Sequence, residues 1–210
     1  MSNFNGVAFI YDRLAQFVFG REWKDIQMAP AKSIKSNARV LIVGGGSGMI
    51  LERIEPGCQV DFVELSDKML EKARRRVTSA TVKYVQGDYL NWSPSGKYDA
   101  VVFPFFLDSF NAENLSLIIQ KAKNELHPKG QMHIVDFRKG NVAQRFLIKL
   151  MYLFFRVTAK LEGDKLLDFD SVFTAHGFQK TRTSVFLNQW VFYSVYQLPE
   201  DSMPVMLAED

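Results

Sequence analysis

The chain has 210 residues, 47% of them hydrophobic and 23% charged, with a formal net charge of +3 at pH 7. That length and apolar content suffice for one sizeable core, which favours a single α/β domain with additions over two independent domains. One cysteine, Cys58, excludes an internal disulfide framework and a cysteine-based metal cluster, and no apolar run reaches the roughly 18 residues that span a bilayer.

Residues 1–11 lack the basic start and apolar core of a signal peptide, so a cytoplasmic protein is expected. Residues 9–19 read as a short apolar helix and 23–28 as a second fragment ahead of Pro30, together a helical cap over residues 1–30. Apolar runs at 38–43, 59–64, 81–86, 98–103 and 131–137 read as strands, the last following the turn Pro128-Lys129-Gly130. Helical patterns at 48–54, 67–76 and 112–125 separate them, the alternation of a doubly wound fold. Residues 141–159 then read as a long, very apolar helix and 166–175 as another, a helical insertion or lid over about 140–175. Two runs at 178–186 and 189–197, rich in β-branched and aromatic residues and separated by Leu187-Asn188, read as a hairpin. The predicted architecture is therefore α/β, a doubly wound, mostly parallel seven-stranded sheet ending in a C-terminal antiparallel hairpin. The main domain covers 31–198, and residues 199–210 form a loose acidic tail.

Chemistry enters where the first strand meets glycine. Arg39-Val40-Leu41-Ile42-Val43 runs directly into Gly44-Gly45-Gly46-Ser47-Gly48, glycines spaced G-x-G-x-G. A chain leaving a strand there must turn sharply and bring its backbone close to a ligand, and the helix that follows aims free N–H groups the same way. Val60-Asp61-Phe62-Val63 ends on Glu64, 16 residues after Gly48, a position from which a carboxylate accepts hydrogen bonds from two ribose hydroxyls. Lys72, Arg74, Arg75 and Arg76 lie opposite Met69, Leu70, Ala73 and Val77 on one predicted helix and read as a solvated face. Aromatic residues are not interleaved with basic ones, so no nucleic-acid partner is expected. A nicotinamide-dependent oxidoreductase remains open at this point, as does a non-catalytic scaffold.

Four blocks narrow the field: residues 40–48, Val63-Glu64-Leu65-Ser66-Asp67-Lys68-Met69-Leu70-Glu71-Lys72-Ala73, Gln86-Gly87-Asp88, and Leu126-His127-Pro128-Lys129-Gly130-Gln131. Together they resemble the class I S-adenosylmethionine-dependent methyltransferases, nearest to the small-molecule and ubiquinone/menaquinone-biosynthesis type, over roughly residues 8–197. The resemblance implies S-adenosylmethionine as cofactor, its amino-acid part wrapped by Gly44, Gly45, Gly46 and Gly48. It also implies ribose on Glu64, adenosine beside Leu65 and Ser66, adenine on Asp88 with Tyr89 as a stacking neighbour, and Phe103 at the cofactor edge. Ile42 departs from the pattern, since many members carry an acid there.

On the acceptor side, Phe103-Pro104-Phe105-Phe106-Leu107-Asp108 replaces the Asn/Asp-Pro-Pro-aromatic arrangement used on planar nitrogens, because Phe103 cannot accept a hydrogen bond from an amine. Phe105, Phe106 and Leu107 are the expected lining of an apolar substrate pocket. Asp136, Tyr11 and His133 are the candidate catalytic groups, with His176 behind them. Three scattered histidines make no metal-ligand spacing, so no metal is expected. The apolar helix over 145–160 needs cover from a lid, a homodimer partner, or peripheral contact with a membrane.

Overall fold

The computed structural model describes residues 20, 22–138 and 168–199. Strands β1 (Arg39–Val43), β2 (Gln59–Glu64), β3 (Thr81–Gln86), β4 (Tyr98–Pro104) and β5 (Leu126–Phe137) run parallel. Strands β6 (Gln179–Phe186) and β7 (Val191–Gln197) complete the sheet as an antiparallel hairpin, in the order β3-β2-β1-β4-β5-β7-β6. Helices α1 (Glu22–Met28), α2 (Asp67–Arg74), α3 (Ala112–Glu125) and α4 (Phe169–Ala175) cover it. This is the expected α/β architecture. The predicted helices at 9–19 and 141–159, with the face at 145–160, and the tail from residue 200 lie outside the described residues.

Period-two alternation explains why the central strands are apolar throughout. Leu41 and Val43 of β1 pack on one face with Phe103, Ile134 and the α3 residues Leu115, Ile118 and Ile119. Val40 and Ile42 pack on the other with Ile50, Leu51, Phe62, Leu70 and Ala73. Further along that second face, Trp23 and Ile26 of α1 cover Val135, Tyr193 and Val195. Among the described residues, no helix is long and apolar enough to cross a membrane.

Three elements differ from the sequence reading. The helix expected at 48–54 is a 3-10 turn, Met49–Arg53, because Gly48 at φ 75 stands outside helical space and leaves too few residues before Pro56. Strand β5 begins at Leu126, its register jumping from Tyr98↔Leu126 to Ala100↔Gln131, so that the Pro128 turn bulges out of the strand where a proline costs no ladder bond. The hairpin connection is longer than Leu187-Asn188, since Leu187, Asn188 and Gln189 all hold positive φ and β7 starts only at Val191.

Neighbouring β1 and β4 carry the switch in strand order, and the chain leaves their C-terminal ends toward opposite faces. Such a divergence opens a crevice, and the glycine turn stands in it.

Candidate functional site

The floor of the crevice is the turn from β1 toward the Met49–Arg53 segment. Gly44 holds φ +65, and a Cβ there would lie 2.4 Å from the Phe106 ring, so this glycine lets the loop after β4 close onto the turn. Gly46 holds φ +55 with nothing within 4 Å of where a Cβ would stand. Its left-handed backbone therefore faces open space, as a cradle for a ligand requires. Gly45 and Gly48 serve packing, their missing Cβ atoms leaving room for Phe62 and Ala73.

Glu64 ties this turn to the end of β2. One carboxylate oxygen accepts the Gly46 N–H at 3.0 Å and the other the Ser66 N–H at 2.9 Å. The carboxyl is buried, and desolvation raises its pKa above the ordinary 4.5 against the opposing pull of those backbone donors. Each oxygen of a carboxylate has a second lone pair, so the group retains capacity for hydroxyl donors from the crevice. Leu65, next in the chain, is 46% exposed, an apolar surface at the rim. Ser66 caps α2, its hydroxyl accepting the Met69 N–H at 3.3 Å.

At the end of β3, Gly87 N–H donates to the Glu64 carbonyl at 3.1 Å, which seats the next residue beside the same crevice. Asp88 is exposed, its carboxylate accepting from Leu90 N–H and the Asn91 amide, both at 3.0 Å. Tyr89 is a correction. It lies 3% exposed in the core with its hydroxyl donating to Glu125 at 2.6 Å, so it has no face to stack on a base. Phe103 is likewise fully buried, packed between Tyr89 and Phe106.

The loop after β4 splits its aromatics between the two sides of the sheet. Phe105 adopts φ +53, a strained conformation for an aromatic residue, held by its N–H donating to the Val135 carbonyl at 2.7 Å. Its ring stacks toward Trp23 and Phe137, at 4.7 and 4.9 Å between centroids, while Phe106 turns to Phe103, Phe110 and Gly44. Both are half-buried, whereas Leu107 is fully buried in the core.

Asp136 does not stand open in the crevice. It is fully buried, one oxygen accepting Phe137 N–H at 2.8 Å and the other Asp108 N–H at 3.2 Å, with Leu107 N–H donating as well. Burial first, and then the neighbouring Asp108 carboxylate, push its pKa well above 3.8. Its visible work is to anchor the loop that carries Phe105 and Phe106. His133 is a second correction: it is fully buried in mid-strand, its Nδ1 lies 2.9 Å from the Tyr193 hydroxyl, and burial pushes its pKa down to about 3. His176 ends α4, with Nδ1 on the Val172 carbonyl and Nε2 on Ser116, a capping role. Tyr11 lies outside the described residues. Among the described residues, no group of His, Cys, Asp and Glu could hold a metal ion.

Sequence reasoning missed Arg76. Taken as part of a solvated face, its guanidinium instead donates to the Ser47 carbonyl at 3.0 Å and Ser47 hydroxyl at 3.2 Å while pairing with Glu52 at 2.8 Å. It braces the glycine turn from beneath. Its neighbours in a basic run masked that contact, because charge patterning shows a face and not a reach.

The Methyltransferase domain family model matches residues 40–130, the stretch from β1 to the bulge in β5. The chain is 26% identical to malonyl-[acyl-carrier protein] O-methyltransferase of Priestia megaterium over 140 residues, which cover 65% of this chain and 50% of that protein. It is 26% identical to ubiquinone/menaquinone biosynthesis C-methyltransferase UbiE of Coxiella burnetii over 152 residues, 67% of this chain and 60% of that one. The chain thus spans half to three-fifths of the length of these curated relatives. Among solved structures, mitomycin 7-O-methyltransferase MmcR superposes with a TM-score of 0.66 at 16% identity, covering 84% of this chain and 53% of that one, a likeness of fold.

Proposed function

We propose that the chain is a class I S-adenosylmethionine-dependent methyltransferase, which moves the methyl group of S-adenosylmethionine to a small apolar or aromatic acceptor by direct in-line displacement. The observation that carries the reading is the Glu64 carboxylate, which joins the glycine turn to the end of β2 and keeps lone pairs for a ribose diol beside the open backbone of Gly46. A nicotinamide oxidoreductase is not favoured, because the family match and the antiparallel β5-β7-β6 ending both belong to the methyltransferase pattern.

The residues fit the cofactor in pieces. Gly44 to Gly48 hold its amino-acid end, Glu64 its ribose, exposed Leu65 one face of its adenine, and the Asp88 carboxylate the exocyclic amine. Bound S-adenosylmethionine supplies a sulfonium methyl group that is already strongly electrophilic. The protein's part is then to exclude water and align the acceptor within roughly 3–3.5 Å of that carbon. Phe106, lying on Gly44, walls the methionine end, and Phe105 with Trp23 makes the far side apolar. Asp136 is occupied by backbone donors, so an acceptor that arrives ionised, or is nucleophilic as it stands, suits this site best.

Calorimetry with S-adenosylmethionine, S-adenosylhomocysteine and NADH tests the reading, with Asp88→Ala and Gly46→Val as controls. Micromolar binding of the first two, weakened in both variants, is expected, followed by methyl transfer in a screen of phenols and quinols. Tight NADH binding without the others sinks the proposal. Cofactor binding with no turnover on any acceptor points to the scaffold reading instead.

A further inference from the structure

A second cleft opens at the edge of the sheet remote from the glycine turn. It encloses about 470 Å³ and is bordered by Lys32 and Lys35 before β1, Gln131 of β5, Gln197 at the end of β7 and Arg182 of β6. None of its lining residues is acidic. Lys32, Lys35 and Arg182 have no carboxylate partner among the described residues, although salt bridges elsewhere engage Lys24, Arg39, Arg76, Lys121 and Lys180. Three cations converging without a counter-charge repel one another, and an anion between them removes that cost.

The arginine is aimed there by the backbone. In the β6–β7 ladder Lys180 pairs with Tyr196, but Arg182 pairs with Val195, so one residue is extra at Thr181. Without that bulge Lys180 and Arg182 would share a face. With it, Lys180 reaches Asp170 of α4 on one side, while Arg182 crosses to the other and donates to the Ser33 hydroxyl at 2.9 Å. That bond fixes one end of the guanidinium and leaves its other N–H groups for an oxyanion. Gln131 and Gln197 are also oriented, Gln131 Nε2 on Gln197 Oε1 and Gln197 Nε2 on the Lys129 carbonyl, each at 3.4 Å with a second N–H to spare.

We propose that this cleft binds a phosphate group, as a site separate from the cofactor crevice and independent of the methyl-transfer reading. Arg182 makes the directed contact, and Lys32 and Lys35 supply charge. The phosphate belongs either to a small soluble molecule or to a lipid headgroup, and two probes separate these sources.

Inorganic pyrophosphate is titrated calorimetrically into the full chain, its Arg182→Gln variant, a Lys32→Gln/Lys35→Gln variant and Gly46→Val. In parallel, each is sedimented with vesicles containing phosphatidic acid. Pyrophosphate binding that falls about tenfold or more in Arg182→Gln, falls in the double variant and persists in Gly46→Val supports a soluble ligand at this cleft. Vesicle binding with the same variant pattern, and no pyrophosphate binding, supports a headgroup. The exposed lysines carry the test if Arg182→Gln fails to fold. Failure of both probes on the parent chain, or binding indifferent to these substitutions in folded protein, overturns the proposal.

Discussion

Replacing Glu64 by glutamine perturbs the most connected group of the crevice. The carboxylate accepts Gly46 N–H at 3.0 Å and Ser66 N–H at 2.9 Å, and glutamine retains only one acceptor oxygen. Its amide nitrogen must then face an N–H at close range, donor against donor. A hydrogen bond to a charged group contributes about 1.5–3 kcal/mol, but the variant also escapes the desolvation that raises the Glu64 pKa, so a net folding loss of about 1–2 kcal/mol is expected. The cofactor loses more, because a ribose hydroxyl donating to the substituted atom finds a donor: about 10- to 100-fold weaker S-adenosylhomocysteine binding. A pH signature accompanies this. An acid whose native pKa lies above 4.5 binds its proton more tightly when folded, so its stabilising contribution is complete below 4.5 and disappears as pH rises through the native value. Urea denaturation across that window, with calorimetry at neutral pH, reads both effects. An E64Q protein with unchanged affinity and an unchanged pH dependence of stability refutes the reasoning.

Three further outcomes are expected. Gly46→Ala, at φ +55, costs roughly 1–2 kcal/mol of stability for the left-handed backbone, and it weakens cofactor binding because the new methyl group enters the open side of the turn; chemical denaturation and calorimetry check the two halves. Asp136→Asn loosens the loop carrying Phe105 and Phe106, so the Michaelis constant for an acceptor rises while the shape of the pH–rate profile stays the same; loss of the acidic limb from that profile would instead make Asp136 a proton acceptor. His133 is held neutral, with its pKa pushed from 6.5 to about 3, so the folded state resists a proton that the unfolded chain accepts. Stability therefore falls as pH drops from 6.5 toward 3, and thermal melts of His133→Gln lose that dependence.

Much of the molecule was legible before folding was considered. Apolar runs of strand length, broken by Gly44 to Gly48, Gly87-Asp88 and Pro128 to Gly130, determined the β-α alternation, because a strand buried on both faces has little choice but to be hydrophobic throughout. The sequence by itself also determined the glycine turn and Glu64, since positive φ and a carboxylate at a strand end are local demands with few residue solutions. Tertiary structure decided the rest. Only packing shows that Tyr89 and Phe103 turn into the core and His133 sits mid-sheet, because which way a strand-end side chain points depends on what covers that face. Arg76 reaches Ser47 across 29 positions, and Arg182 finds Ser33 across 149. Contacts that long are set by strand order and by a single extra residue in β6, neither of which is written in the local chemistry of the residues that meet.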